Sequence, residues 1–162
     1  MIRVQAEDFD SGDELRRLTV GRTGIGGACL FVGLVRDMAG DAALNALNLE
    51  HYPGMTEREL ARIEAIACAR WPLIDTLIVH RYGCLAPGDR IVLVAAVSAH
   101  RDPAFDACRF LIDWLKTSAP FWKREETAAG GRWVEAQTAD MERAARWQRV
   151  DAAAPAGSGE DD

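Results

Sequence analysis

The stretch Thr76-Leu77-Ile78-Val79-His80-Arg81-Tyr82, then Pro87-Gly88-Asp89, then Ile91-Val92-Leu93-Val94-Ala95-Ala96-Val97-Ser98 decides the fold. Each flank is rich in β-branched and apolar residues, and the Pro-Gly-Asp between them is turn chemistry. The pair therefore reads as a hairpin of two core strands joined by a loop of moderate length. Strands joined this way need no crossover helix, and the chain shows no regular βαβ alternation elsewhere, so the class expected is α+β.

Downstream, Asp102-Pro103 supplies a helix N-cap and a proline at the first helical position. Phe105, Cys108, Leu111 or Ile112, and Leu115 then recur at helical intervals, so a long helix ends near Lys116. Pro120 blocks its continuation, and Phe121-Trp122-Lys123 and Arg132-Trp133-Val134-Glu135 flank Gly130-Gly131 as two short strands. Upstream, Thr56 with Glu59 forms a capping box, and Leu60, Ile63, Ala67 and Trp71 mark a helix over Glu57 to Trp71, stopped by Pro72. Leu47 to Tyr52 alternates as a strand, ended by Pro53-Gly54. Ala28 to Arg36 is a continuous apolar run of the kind found in strands covered on both faces, and it leaves Arg36 at a strand end. Ile2 to Gln5 reads as a short strand, and Asp10 or Ser11 caps a brief helix reaching Leu18. Residues 1–150 are expected to form one domain, and the Ala, Pro, Gly and acid-rich tail 151–162 is too polar to order itself.

The chain has 162 residues, 49% of them hydrophobic, which is enough for one core. A net charge of −6 disfavours coating nucleic acid or an anionic membrane, so any anion site must be local. No apolar run approaches bilayer length and the first residues lack the basic and apolar regions of a signal peptide, so the cytoplasm is the expected compartment. Cys29, Cys68, Cys84 and Cys108 form no Cys-x-x-Cys pair and read as reduced, buried thiols. His51, His80 and His100 have no metal-ligand spacing, and no metal is expected. Glu135, Asp140 and Glu142 form no convincing carboxylate pair, and neither a phosphate loop nor a nucleophile elbow is present. Gly24-Ile25-Gly26-Gly27 precedes a strand instead of following one and is a turn, not a dinucleotide fingerprint.

Three junctions carry cations: Arg36 at a strand end, His100-Arg101 where a strand meets a helix, and Lys116 with Lys123 around the helix exit. Taken one at a time, each is ordinary solvated charge. Together they suit a pocket built where element ends converge. Apolar groups around Lys116 would lower its pKa, and two adjacent lysines would depress one another, which suits a nucleophilic or proton-transferring amine and an anion clamp alike. At Arg101-Asp102-Pro103 the helix N-terminus either holds a phosphate or is simply capped.

Phe31-Val32-Gly33-Leu34-Val35-Arg36, Leu49-Glu50-His51-Tyr52-Pro53-Gly54-Met55, His80-Arg81-Tyr82-Gly83, Ser98-Ala99-His100-Arg101, and Leu115-Lys116 through Pro120-Phe121-Trp122-Lys123-Arg124-Glu125 together resemble the molybdopterin synthase large-subunit family, from about Gly27 to Trp147. The resemblance implies an α/β hammerhead fold with an additional small antiparallel β subdomain. It implies a homodimer with a small ubiquitin-like subunit at each outer end, a heterotetramer overall. The small subunit's Gly-Gly thiocarboxylate would donate sulfur to cyclic pyranopterin monophosphate, two transfers building the dithiolene of molybdopterin with no separate cofactor. By the same resemblance Lys116 is the principal catalytic lysine with Lys123 beside it. Leu34, Val35, Arg36, His100, Arg101, Lys116, Lys123, Arg124 and Glu125 would contact substrate. Gln137 departs from an expected Arg, and the tail beyond Val150 has no counterpart. Two other readings use the same cations: a noncatalytic module that captures the C-terminus of a ubiquitin-like protein, and a nucleic-acid-binding module.

Overall fold

The computed structural model describes residues 1–39, 42–117, 119–134 and Trp147; Glu135, Gln137, Asp140, Glu142 and the tail 151–162 lie outside the described residues. The hairpin forms as expected. Strands β5 (Leu73–Arg81) and β7 (Arg90–Ser98) pair antiparallel, with Ile78 opposite Val94 and His80 opposite Val92. Strand β1 (Ile2–Gln5) adds to β5 in parallel and β2 (Gly27–Leu34) adds to β7 antiparallel, giving the order β1-β5-β7-β2.

The apolar residues of the hairpin divide between two faces. Ile78, Val92, Val94 and Ala96 pack against Leu60, Ile63 and Ala67 of helix α2 (Met55–Arg70) and Ala107, Phe110 and Leu111 of helix α3 (Arg101–Thr117). Leu77, Val79, Leu93, Ala95 and Val97 pack on the opposite face against Phe9 and Leu18, the latter from helix α1 (Ser11–Thr19). Cover on both sides explains why these strands are continuously apolar instead of alternating. The fold is α+β, as the hairpin implied.

Four local expectations change. Strand β2 is the edge of its sheet, not a strand covered on both faces: Phe31 and Leu34 are 37% and 54% exposed. Helix α2 begins two residues early, and its N-terminal amide is served by Glu57, whose carboxylate accepts from Gly54 N–H at 2.5 Å. Glycine has no side chain to reciprocate, so only half a capping box exists, and Thr56 instead donates its hydroxyl to Tyr52 O at 3.0 Å. Helix α3 likewise starts at Arg101, which puts Asp102 and Pro103 inside its first turn; proline is tolerated there because first-turn amides have no intrahelical acceptor. Finally, Phe105 is 60% exposed, since the buried face of α3 runs through Ala104, Ala107, Cys108, Phe110, Leu111 and Leu115.

A second sheet stands beside the first. Strands β3 (Met38–Ala39), β4 (Ala42–His51), β8 (Phe121–Thr127) and β9 (Gly130–Val134) lie in that order, and β6 (Gly83–Leu85) also pairs with β4. The β8–β9 hairpin is longer than its two expected fragments and closes between Thr127 and Gly130. Val35, Leu44, Leu47, Leu49 and Leu85 form this sheet's own apolar cluster. Trp147 returns to the first core, where its indole N–H donates to Asp113 at 2.9 Å and its carbonyl accepts from Arg70 at 2.8 Å.

Candidate active site

Helix α3 and strand β2 run side by side in the same direction. At the start, Gly26 and Gly27 let the turn into α3 press on the strand: a Cβ on Gly26 would lie 2.1 Å from Ala99 O, and one on Gly27 would lie 3.0 Å from Arg101 Cα. Farther along, the two elements part to leave a cavity of about 650 Å³ lined by Cys29, Phe31, Phe105, Cys108, Arg109, Ile112, Asp113 and Lys116 among others. Phe105, Arg109, Ile112 and Lys116 recur at spacings of four, three and four, one continuous stripe of the helix.

Lys116 is exposed at the end of this stripe, so the apolar wall expected to enclose it is not supplied by this chain alone. The same end of the sheet carries Arg36, exposed just past β2 and without an ion pair among the described residues, and Leu34. Val35 points the other way. It is 4% exposed within the second sheet's apolar cluster, its N–H donates to Asp89 O and its carbonyl accepts from Gly88 N–H, so it is a packing residue and not a ready substrate contact.

Strand β8 brings Lys123 to this end as well. Phe121, two residues earlier on the same face, stacks on His80 near the C-terminal end of β5, with centroids 3.7 Å apart. The run Lys123-Arg124-Glu125 does not act as one patch, because a strand alternates. Arg124 faces away from Lys123 and pairs with Glu126 at 3.1 Å, while Glu125 accepts from Arg132 at 3.1 Å.

His100 and Arg101 do not join this group. They are exposed at the start of α3, and Arg101 pairs with its neighbour Asp102 at 3.5 Å. Fifteen residues separate Arg101 from Lys116 along the helix, a rise of about 22 Å. One chain therefore brings Lys116, Lys123 and Arg36 toward one end and holds His100 and Arg101 at the other.

The Cys108 thiol in the cavity is not poised as a nucleophile. Burial, followed by the charge and hydrogen bond of the adjoining Cys29, pushes the Cys108 thiol far above the ordinary thiol range, which suppresses the thiolate. Cys68 and Cys84 are exposed, contrary to the expectation that all four cysteines are buried. Arg109 and the ring column around His80 escaped sequence reading. Arg109 was visible only as the residue four places after Phe105 on one helix face, and the rings come together only when two sheets meet.

A mixed α+β scaffold of two sheets with a lysine at the end of a cavity defines a small protein whose site is suited to an anionic ligand despite the chain's net charge of −6. The model of the MoaE protein family matches residues 4–118, and the chain belongs to that family. It is 53% identical to the molybdopterin synthase catalytic subunit of Ralstonia nicotianae, over 90% of this chain and 83% of that one. The Pseudomonas aeruginosa protein of the same name is 52% identical, over 91% and 98% of the two chains. The solved structure of the molybdopterin biosynthesis MoaE protein from Burkholderia ambifaria superposes with a TM-score of 0.79 at 50% identity, covering 91% of this chain and 97% of that one. The resemblance read from the five sequence blocks is borne out at the level of family.

Proposed function

We propose that this chain is the catalytic subunit of a molybdopterin synthase. In this reading it moves sulfur from the C-terminal Gly-Gly thiocarboxylate of a small ubiquitin-like subunit to cyclic pyranopterin monophosphate, forming the dithiolene of molybdopterin. The observation that carries the reading is Lys116 at the end of the cavity stripe, with Lys123 and Arg36 toward the same end. A thiocarboxylate and a cyclic phosphate are both anions and repel in water. Fixed cations can hold them together and stabilise charge gathering on phosphate oxygen as the ring opens. With the Cys108 thiol held protonated by burial, the Lys116 amine is the group suited to proton transfer or to holding the acyl group once sulfur has left.

The separation of the two ends of α3 favours a homodimer in which His100 and Arg101 of one copy complete the Lys116 end of the other. Edge strand β2, with Phe31 and Leu34 exposed, supports a second copy beside this face. With one small subunit at each outer end the assembly is a heterotetramer, and its setting is the cytoplasm. No helix among the described residues is long and apolar enough to cross a membrane.

The test is a reconstituted assay with thiocarboxylated small subunit and cyclic pyranopterin monophosphate. Lys116→Ala should keep binding the small subunit while dithiolene formation falls about a thousandfold, within the range that loss of a proton-transferring group produces. Binding without any product from the unaltered chain would instead identify a noncatalytic module that captures the carrier's C-terminus.

A further inference from the structure

The outer side of α3 carries one stripe of side chains. Arg101, Phe105, Arg109, Ile112 and Lys116 follow one another at spacings of four, four, three and four, which keeps them on one helix face; four are exposed and Ile112 is half-buried. Phe105 is 60% exposed, and beside it the edge strand β2 leaves Phe31 and Leu34 uncovered as well. An apolar patch rimmed by charge marks a contact surface. Charge also stands within it. Arg109 and Asp106 both line the cavity and both are exposed, and among the described residues neither side chain has an ion pair or a hydrogen bond.

The order of the stripe points to its partner. Read from either end it runs cation, apolar, cation, apolar, cation. A surface that docks on a copy of itself about a two-fold axis meets its own pattern reversed, and this pattern is unchanged by reversal; a partner of another fold imposes no such symmetry. The homodimer proposed above, on which this inference rests, also fixes where the axis falls. If Arg101 of each copy reaches Lys116 of the other, the two α3 helices run antiparallel and the axis lies halfway, beside Cys108 and Arg109. Cys108 is buried, so Arg109 is the side chain at the axis. Phe105 of one copy then lies level with Ile112 of the other, apolar against apolar. Asp106 of one copy lies level with Leu111 of the other, about 3 Å along the helix from Arg109. Packed helices stand about 8–10 Å apart, a gap that an arginine and an aspartate span together.

Two guanidinium groups at one axis repel, and carboxylates beside them turn the repulsion into attraction. We propose that α3 docks antiparallel on α3 of a second copy, with Arg109 of each copy paired to Asp106 of the other, and that these two reciprocal ion pairs make the contact specific for a copy of this chain. A chain of net charge −6 is repelled by its own kind at long range, so the attraction comes from local pairs of this sort and the apolar side chains around them.

Charge reversal tests the pairing. Arg109→Asp leaves four carboxylates at the axis and Asp106→Arg leaves four guanidinium groups, so each variant alone should dimerise about ten- to a hundredfold more weakly in sedimentation equilibrium. Mixed in equal amounts, the two variants should form dimers of one copy of each, because every contact at the axis is then between opposite charges. The chain carrying both changes should dimerise about as the unaltered chain does. Recovery on mixing requires both variants to be folded, so it cannot be a repair of folding. A milder variant needs no reversal: Arg109→Lys keeps the charge, and a carbodiimide should join it to Asp106 of the other copy as an amide in the dimer, read by peptide mass spectrometry. Single variants that dimerise like the unaltered chain overturn the proposal, as do folded single variants that stay apart when mixed, or an Arg109→Lys dimer without that amide. An unaltered chain that sediments as a monomer, and whose hold on the small subunit is lost in both reversals, gives the face to the carrier and overturns it too. None of these measurements uses the pterin substrate. If the unaltered chain pairs as described and transfers no sulfur, the sulfur-transfer reading fails and the pairing stands.

Discussion

The two ends of helix α3 carry the same kind of side chain in different settings. At the C-terminal end, Lys116 closes a stripe with Phe105, Arg109 and Ile112 along a cavity, and β8 holds Lys123 nearby through the stack of Phe121 on His80. At the N-terminal end, His100 and Arg101 stand in solvent on a turn that is itself tightly fixed by Gly26 and Gly27. One end has cations and walls, and the other has cations and a rigid base but no walls. In the homodimer proposed above, the unwalled cations of one copy would meet a ligand held in the cavity of the other.

The sharpest way to break this comparison is to damage each end in separate chains. Lys116→Ala alone should lose about three orders of magnitude in sulfur transfer. Arg101→Ala alone should lose about ten- to a hundredfold, the worth of one charge-assisted contact. Mixed in equal amounts after dissociation and reassociation, the two variants should recover about a quarter of the original activity, because half of the dimers are mixed and each mixed dimer holds one intact composite site. A mixture no better than its better component would place both ends in one chain's site, or Arg101 in none.

How far the sequence carried the argument follows from what each signal depends on. The β5–β7 hairpin and the α2 and α3 helices were legible because their apolar periods reflect burial, which is local in sequence. That β2 is an edge could not be read, since an apolar run does not tell whether its strand lies inside a sheet or at its margin. Lys116 and Lys123 were placed correctly at a helix exit and a following strand. The motifs do not say whether Arg101 meets them from the same chain, and the helix between Arg101 and Lys116 keeps those two apart within one. Val35 and Arg124 enter the site only through the family resemblance; burial in the second sheet's apolar cluster turns Val35 inward, and strand alternation puts Arg124 on the face opposite Lys123. The His80–Phe121 stack joins residues about forty positions apart on different sheets, and no periodicity announces that.

Acid should act on the walled end and spare the open one. The folded state lowers the pKa of His80 from 6.5 to about 4, so the stability that its neutral form confers is complete above 6.5 and lost as the pH falls toward 4. The loss amounts to at most about 3 kcal/mol. Denaturant midpoints measured at pH 7.5 and pH 4.5 should therefore differ more for the unaltered chain than for His80→Gln, which has nothing to protonate. Equal differences in the two proteins would mean that the ring is not held neutral by burial.

The open end should depend on its base. In Gly26→Ala the added Cβ would meet Ala99 O at 2.1 Å, so the β7–α3 turn must move; the expected cost is about 1–3 kcal/mol, with most helix retained by circular dichroism. If the turn serves only the fold, sulfur transfer per folded molecule is unchanged. If it aims His100 and Arg101 at a second copy, activity falls well beyond the loss of folded protein while the rate of acetylation of Lys116 and Lys123, read by peptide mass spectrometry, stays as in the unaltered chain.

The smallest effect separates charge used for stability from charge used for binding. Arg101 and Asp102 form an ion pair at 3.5 Å with side chains 82% and 81% exposed, in water and at the first turn of α3. Such a pair contributes little, and an acidic residue near a helix N-terminus adds only a few tenths to about 1 kcal/mol, so Asp102→Asn should lower stability by less than about 1 kcal/mol. Removing the carboxylate also removes the anion that pairs with the Arg101 guanidinium among the described residues. The apparent affinity for cyclic pyranopterin monophosphate should rise modestly at low salt, and the gain should vanish as salt screens it. A variant that is markedly less stable and binds no better would show that this end is a helix start and nothing more, and the contrast between the two ends would then lie in packing alone.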